Sequence, residues 1–277
     1  MQGNEQRRRE AMKNLERELG RRDRAEKAKP LGVVVTTLAI LVALVGGIWF
    51  LTTMGDDDED LTASETETTS PDLTPLAMAR AEALEDTVTC EYPASGEPAK
   101  DVSAPPTDDI ATTGTVTVTL KTNQGDVPME LDRSLSPCAV NAIEHLAKEG
   151  YYDDTVCHRM TSGGLNVLQC GDPSGSGAGG PGFSFADEYP VDEAEPTSSV
   201  IYPEGSIAMA NSGPNTNGSQ FFLNYGDGQL QPAYSVLGTM TPEGLEVTKA
   251  IAEKGIEGGQ LDGAPAEEVR IKSATVS

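Results

Sequence analysis

Residues 209–223 read MANSGPNTNGSQFFL. Strand-like runs at Ser206–Ala210 and Gln220–Leu223 flank a polar loop, and the same alternation of short strand and Gly/Pro-rich loop recurs around it. Upstream, TVTVTLK (115–121) puts Val116, Val118 and Leu120 on one face, the period of a half-buried strand. A turn at NQG leads into VPMEL (127–131), which repeats the pattern with Val127, Met129 and Leu131. Further strand-like runs lie at Val167–Gln169, Ser235–Met240 and the closing VRIKSATV. Two segments carry helical spacing. LSPCAVNAIEHLAKEG (135–150) places Val140, Ile143, Leu146 and Ala147 on one side, with Pro137 at its start and Gly150 at its end. PEGLEVTKAIAEKG, from Pro242, is the second. Many short strands, two helices and long Gly/Pro loops predict a mainly β domain over 113–277, a closed barrel with helical caps.

The 277 residues divide unevenly by charge. Residues 1–30 hold 10 Lys/Arg and 6 Asp/Glu; the remainder holds 10 and 38. A body this acidic repels phosphate backbones, which excludes nucleic acid as a partner. Residues 31–54, LGVVVTTLAILVALVGGIWFLTTM, contain no charge. At ~1.5 Å per residue a helix of this length spans a hydrocarbon layer of ~30 Å. The run is longer than a signal peptide core, and no small-residue cleavage pattern follows it. The expectation is a retained single-pass anchor with the basic arm 1–30 cytoplasmic and the rest extracytoplasmic. Residues 55–112 are rich in Asp, Glu, Thr, Ser and Pro and read as a disordered, self-repelling linker. Within it, Leu76–Tyr92 could form a short helix docked on the domain.

Four cysteines, Cys90, Cys138, Cys157 and Cys170, follow the apolar run, where an oxidising compartment allows disulfides in any of three connectivities. The chain has no C-x-x-C and two histidines, His145 and His158, which argues against a zinc site. Neither metal nor cofactor is expected. In CHRMTSGGLNVLQCGD (157–172), Arg159 and Gln169 stand ten residues apart with no acid between them. His158 has no motif serine or acid beside it and reads as a packed, hydrogen-bonded core residue rather than a base. GDPSGSGAGGPG (171–182) is Gly-rich but lacks the G-K-[ST] of a phosphate loop.

Three blocks, EGYYDDTVCHRM, LQCGDPSGSGAGGPGFSFADE and MANSGPNTNGSQFFL, resemble the cyclophilin family of peptidyl-prolyl cis–trans isomerases in sequence and in order. The anchored, acidic-linker arrangement resembles extracytoplasmic actinobacterial members. The resemblance covers roughly 113–277. It implies a closed eight-stranded antiparallel barrel capped by two helices, and proline-containing polypeptides as substrates. By the same resemblance Arg159, Gln169 and Asn211 carry the catalysis, and Val167, Ala210, Phe222, Leu230 and Tyr234 bind the proline. The family's strand pairing would bring Cys157 to Cys170, leaving Cys90 for Cys138; two buried free thiols are the other reading. The NGS sequon at 217–219 would be a tight structural loop.

The chain departs from the family pattern in four places. The run from Arg159 to Gln169 is two residues longer. Asn166 stands where a phenylalanine usually floors the pocket, with Leu165 placed to replace it. Gln229 replaces the tryptophan of cyclosporin-sensitive members, and Leu237 replaces a core phenylalanine. The expected function is isomerisation of X–Pro bonds in extracytoplasmic proteins. The alternative is a catalytically weak proline-binding adaptor or holdase.

Overall fold

The computed structural model describes residues 73–193 and 199–277. The expected cytoplasmic arm, the anchor at 31–54 and the first part of the linker lie outside the described residues. Among the described residues, no helix is long and apolar enough to cross a membrane.

The frame is one antiparallel sheet. Strand β3 (Thr115–Thr122) pairs with β4 (Asp126–Asp132) along its length, Val118 opposite Met129. The period-two pattern does what the sequence predicts: Val116, Val118, Leu120, Val127, Met129 and Leu131 are all buried. Outward from β3 lie β14 (Arg270–Val276) and then β5 (Thr155–Val156). From β4 the order runs through β12 (Val236–Met240), β9 (Ser206–Met209), β10 (Phe221–Asn224), β7 (Val167–Cys170) and β6 (Arg159–Thr161). It ends at β13 (Asp262–Gly263).

This corrects the closed eight-stranded barrel. Among the described residues the sheet has ten strands, and its end strands β5 and β13 do not pair with each other. The chain crosses the seam instead. It leaves β5 at one end and enters β6 at the other through Cys157 and His158 alone. Those two residues belong to no strand. Cys157 N–H donates to Val269 O at 2.9 Å, and Cys157 is disulfide-bonded to Cys170 on β7, so the seam is held by a crosslink rather than a ladder.

Helix α1 (Pro137–Lys148) packs on β14 and β3, and α2 (Pro242–Glu253) on β4. Helix α1 buries Val140, Ile143, Leu146 and Ala147 as its spacing predicts. It stops at Gly150, whose φ of 68° is left-handed. The Gly150 N–H bonds Ala147 O and the Tyr151 N–H bonds Leu146 O, which satisfies the last helical carbonyls. At α2, Pro242 opens the helix and the Thr241 hydroxyl accepts the Gly244 N–H.

The second half of the expected linker is not disordered. Residues 73–112 lie against α1 and the neighbouring loops as a strap, and Leu76–Tyr92 forms no helix. Instead β1 (Thr87–Val88) pairs with β2 (Ile110–Ala111). Cys90 is disulfide-bonded to Cys138 at the start of α1. Tyr92 is buried edge-on against Phe183 and Phe185, and its hydroxyl donates to Cys138 O. Arg80 donates to Leu135 O and pairs with Asp192 at 2.8 Å. Lys100 Nζ donates to Gly150 O at 2.6 Å, just past the negative end of α1. A strap with few apolar residues is thus held by a crosslink, two buried aromatic contacts and two anchored cations. Composition registers none of these.

Two apolar clusters fill the fold. The larger lies between the sheet and the helices. The smaller joins Leu76 of the strap with Leu135, Val167, Tyr189, Tyr202, Ala208, Phe222 and Val236, and backs the site below.

Candidate active site

Strands β6, β7 and β10 lie side by side, with Arg159 opposite Gln169 and Gln169 opposite Phe222. Facing residues share one side of a sheet, so register alone brings the three side chains together. Around them closes a cavity of about 140 Å³ lined by Arg159, Gln169, Asn211, Val167, Ala210, Phe222, Leu230 and Tyr234. These eight residues are the ones the sequence points to. The ninth lining residue is Leu165, which takes the place left by Asn166. Asn166 turns away and donates to Asp227 O at 3.2 Å.

The floor is apolar and aromatic. Phe222 and Tyr234 meet edge to face, ring centroids 5.5 Å apart, and Tyr202 packs behind both. Such pairs add ~0.5–1.5 kcal/mol beyond area burial. The Tyr202 hydroxyl fixes the Tyr234 backbone, donating to its O and accepting from its N–H. Burial pushes the Tyr202 hydroxyl well above the usual tyrosine range, so it stays a neutral donor.

The polar wall is a chain of oriented groups. Arg159 Nη1 donates to Gln169 Oε1 at 3.3 Å. Gln169 Nε2 donates to Gln220 Oε1 at 2.9 Å. Gln220 Nε2 donates to the carbonyls of Gly177 and Gly179. Those glycines belong to the loop 171–180, wound around Asp172. The fully buried Asp172 carboxylate accepts the Ser174 hydroxyl and the N–H groups of Ser174, Gly177 and Gly179. Burial opposes its charge, but the Ser174 hydroxyl and the three N–H groups outweigh burial and hold its pKa below the usual carboxylate value. The loop is packed to the atom: a Cβ on Gly179 would sit 2.0 Å from Asp172 Oδ1, and one on Gly171 2.2 Å from Ser219 O. The Gly-rich run therefore winds around a buried carboxylate, and the N–H groups of Ser174, Gly177 and Gly179 that could cradle a phosphate are taken by Asp172.

The opposite edge of the guanidinium meets an acid that sequence reasoning missed. Arg159 Nε and Nη2 donate to Asp262 Oδ1 and Oδ2, each at 2.8 Å. Hydrogen bonding to Asp262 raises the Arg159 pKa further, and the same contact depresses that of Asp262. Gln220 was also missed, although it lies inside the SQFF motif.

Asn211 sits at the cavity's rim. Its side chain bonds Ala233 O and the Gly213 N–H. Its own backbone N–H and C=O have no partner among the described residues. His158 differs from its expectation as a hydrogen-bonded core residue. Its ring is packed beside Gly177, but neither ring nitrogen has a partner among the described residues. Burial lowers its pKa, Asp172 pulls the other way, and Arg159 adds to the lowering, so the ring is neutral at pH 7. His145 bonds Ser103 on the strap, away from the cavity. Among the described residues, no three His, Cys, Asp or Glu side chains converge as a metal-binding group.

A cyclophilin-fold sheet with an arginine–glutamine pair over an aromatic cavity defines a class, and comparison with known proteins names it. Residues 117–276 match the family described as cyclophilin type peptidyl-prolyl cis-trans isomerase/CLD; the chain belongs to this family. It is 48% identical over 194 residues to a probable peptidyl-prolyl cis-trans isomerase B of Mycobacterium leprae. That match covers 67% of this chain and 66% of the relative. The Mycobacterium tuberculosis counterpart is 47% identical over 192 residues, covering 66% of this chain and 62% of the relative. The chain thus spans just under two thirds of these relatives' own length. A Cryptosporidium parvum cyclophilin type peptidyl-prolyl cis-trans isomerase of known structure is 31% identical. It matches with a TM-score of 0.48, covering 59% of this chain and 98% of that one.

Proposed function

We propose that the protein is a peptidyl-prolyl cis–trans isomerase acting on proline-containing polypeptides outside the cytoplasm, tethered by residues 31–54. The observation that carries the reading is Arg159 at the mouth of a cavity with apolar and aromatic walls and space for a small ring.

An X–Pro amide rotates slowly because resonance gives its C–N bond partial double-bond character, with a barrier of ~18–20 kcal/mol. No bond needs to be cleaved. Twisting the amide localises the prolyl nitrogen lone pair, and a fixed donor aimed at that nitrogen stabilises the twisted state more than either planar one. Val167, Phe222, Leu230 and Tyr234 hold the ring. Asn211 offers the substrate backbone an unpaired N–H and C=O. Arg159, charged at any working pH, supplies the donor, and Gln169 accepts one N–H from the guanidinium on its Nη1 side. His158 is given no acid–base role.

The extracytoplasmic setting draws support from the two disulfides, which persist in oxidising compartments, and from the charge asymmetry about the apolar run.

The test is NMR exchange spectroscopy on an Ala–Pro peptide with the full chain in detergent. Exchange between cis and trans peaks accelerated at catalytic amounts of protein supports isomerisation. Tight binding without acceleration supports the adaptor reading.

A further inference from the structure

We infer that Asp262 is a positioning residue for the reaction: it fixes the plane of the Arg159 guanidinium and decides which of its N–H groups face the bound prolyl amide. The inference rests on the role given to Arg159 above.

The placement follows from register. β13 pairs antiparallel with β6, with Asp262 opposite Thr161 and Gly263 opposite Met160. Side chains two residues apart on a strand share a face, so Thr161 and Arg159 point the same way, and Asp262 with them. Asp262 and Arg159 are then diagonal neighbours, a separation of roughly 7–8 Å at Cα that long side chains bridge. A slip of one residue would send the carboxylate to the other face. The backbone guards against it: Ser162 N–H bonds Leu261 O, Glu257 N–H bonds Ala264 O, and Leu261 lies over Gly163.

The chemistry follows from counting donors. A guanidinium carries five N–H groups in one plane. Asp262 takes one on Nε and one on Nη2; Gln169 takes one on Nη1. One N–H on each terminal nitrogen remains. Two parallel bonds to a carboxylate fix a plane, which a single bond at 3.3 Å to Gln169 does not. Without Asp262 the long side chain, 42% exposed, would sample several rotamers, and the donor would meet the twisted amide in only a fraction of them. The position of a donor that acts in the transition state affects turnover rather than binding.

The pair is also exposed, Asp262 by 57%, and an exposed ion pair adds little to stability. Folding and turnover can therefore be separated by experiment. Exchange spectroscopy at a series of peptide concentrations gives kcat and KM for wild type, Asp262→Ala, Asp262→Glu and Arg159→Ala; urea unfolding gives their stability. The expected result is a kcat roughly tenfold lower in Asp262→Ala, with KM within about twofold and an unchanged urea midpoint. Asp262→Glu, which can re-form the paired contact, recovers part of the loss. In an Arg159→Lys background, where no planar fork exists, Asp262→Ala changes nothing further. An Asp262→Ala enzyme with wild-type or higher kcat overturns the inference, as does a loss confined to KM. If Arg159→Ala itself keeps wild-type turnover, the reading of the reaction fails instead, so the two failures are distinct.

Discussion

The Glu188 carboxylate accepts the backbone N–H of Ala139 at 2.8 Å and that of Cys138 at 3.1 Å, capping α1 from 50 residues away. The helix has no side-chain cap of its own and no acid in its first turn. Burial nevertheless dominates over these contacts and pushes the Glu188 pKa up to about 7. The N–H groups of Ala139 and Cys138 and the Arg80 charge pull it down, and Asp192 pushes it up.

This sets a pH dependence of stability. Unfolded, Glu188 loses its proton near pH 4.5; folded, near 7. Between those values the folded state holds a proton that the unfolded chain has released. Its contribution is full below pH 4.5, falls as pH rises through that window, and is flat above it. The Glu188→Gln variant cannot titrate there. Urea unfolding should show wild type losing on the order of 2 kcal/mol relative to Glu188→Gln between about pH 5 and 8. A difference that is constant, or that grows with pH, would mean the helix N-terminus holds the charged form.

The Cys90–Cys138 bridge closes a loop of 48 residues and fastens the strap to α1. Constraining a loop of that length in the unfolded chain is worth about 4 kcal/mol by chain entropy. Replacing both cysteines by alanine should lower the unfolding free energy by roughly 3–4 kcal/mol in urea and expose residues 73–112 to proteolysis. A loss below about 1 kcal/mol would mean the strap is held by Tyr92, Arg80 and Lys100 without the crosslink.

Gln220 links Gln169 to the Gly177 and Gly179 carbonyls. Its replacement by alanine frees the amide that holds Arg159 from the other side. Turnover in Gln220→Ala should fall about three- to tenfold while peptide affinity changes less, read from kcat and KM. Unchanged kcat would remove Gln220 from the positioning chain.

Gln229 is exposed on β11 (Gly228–Leu230), opposite Ile201, and lines a recess with Leu230 and Tyr234. It offers a polar amide where cyclosporin-sensitive relatives carry an indole. Inhibition by cyclosporin should be weak and should strengthen at least tenfold in Gln229→Trp, titrated against turnover, since aromatic anchors dominate such contacts. Tight inhibition of wild type would show that the drug needs no indole here.

What the sequence disclosed was local or motif-borne. The alternation of 115–131 fixed which residues of β3 and β4 face inward, and Pro137 and Gly150 marked α1, because those signals act within a few residues. The eight cavity residues came from the family resemblance. Asp262 was not legible. It stands 103 residues from Arg159, and only the β13–β6 pairing brings it across. The strap escaped for a similar reason. Its Asp-, Pro- and Thr-rich composition reads as linker, while Cys90, Tyr92, Arg80 and Lys100 act through single long-range contacts. The open seam was hidden because Cys157 and His158, which link β5 to β6, carry no strand or turn signal that tells a closed ladder between the end strands β5 and β13 from an open one.

The most direct test of the account compares Arg159→Lys and Arg159→Ala with wild type by NMR exchange on an X–Pro peptide. Lysine keeps the charge but not the planar donor fork. Both variants should bind the peptide and lose turnover, alanine by about 10²–10³-fold and lysine by nearly as much. Turnover within about threefold of wild type in either variant would contradict the claim that a fixed guanidinium stabilises the twisted amide.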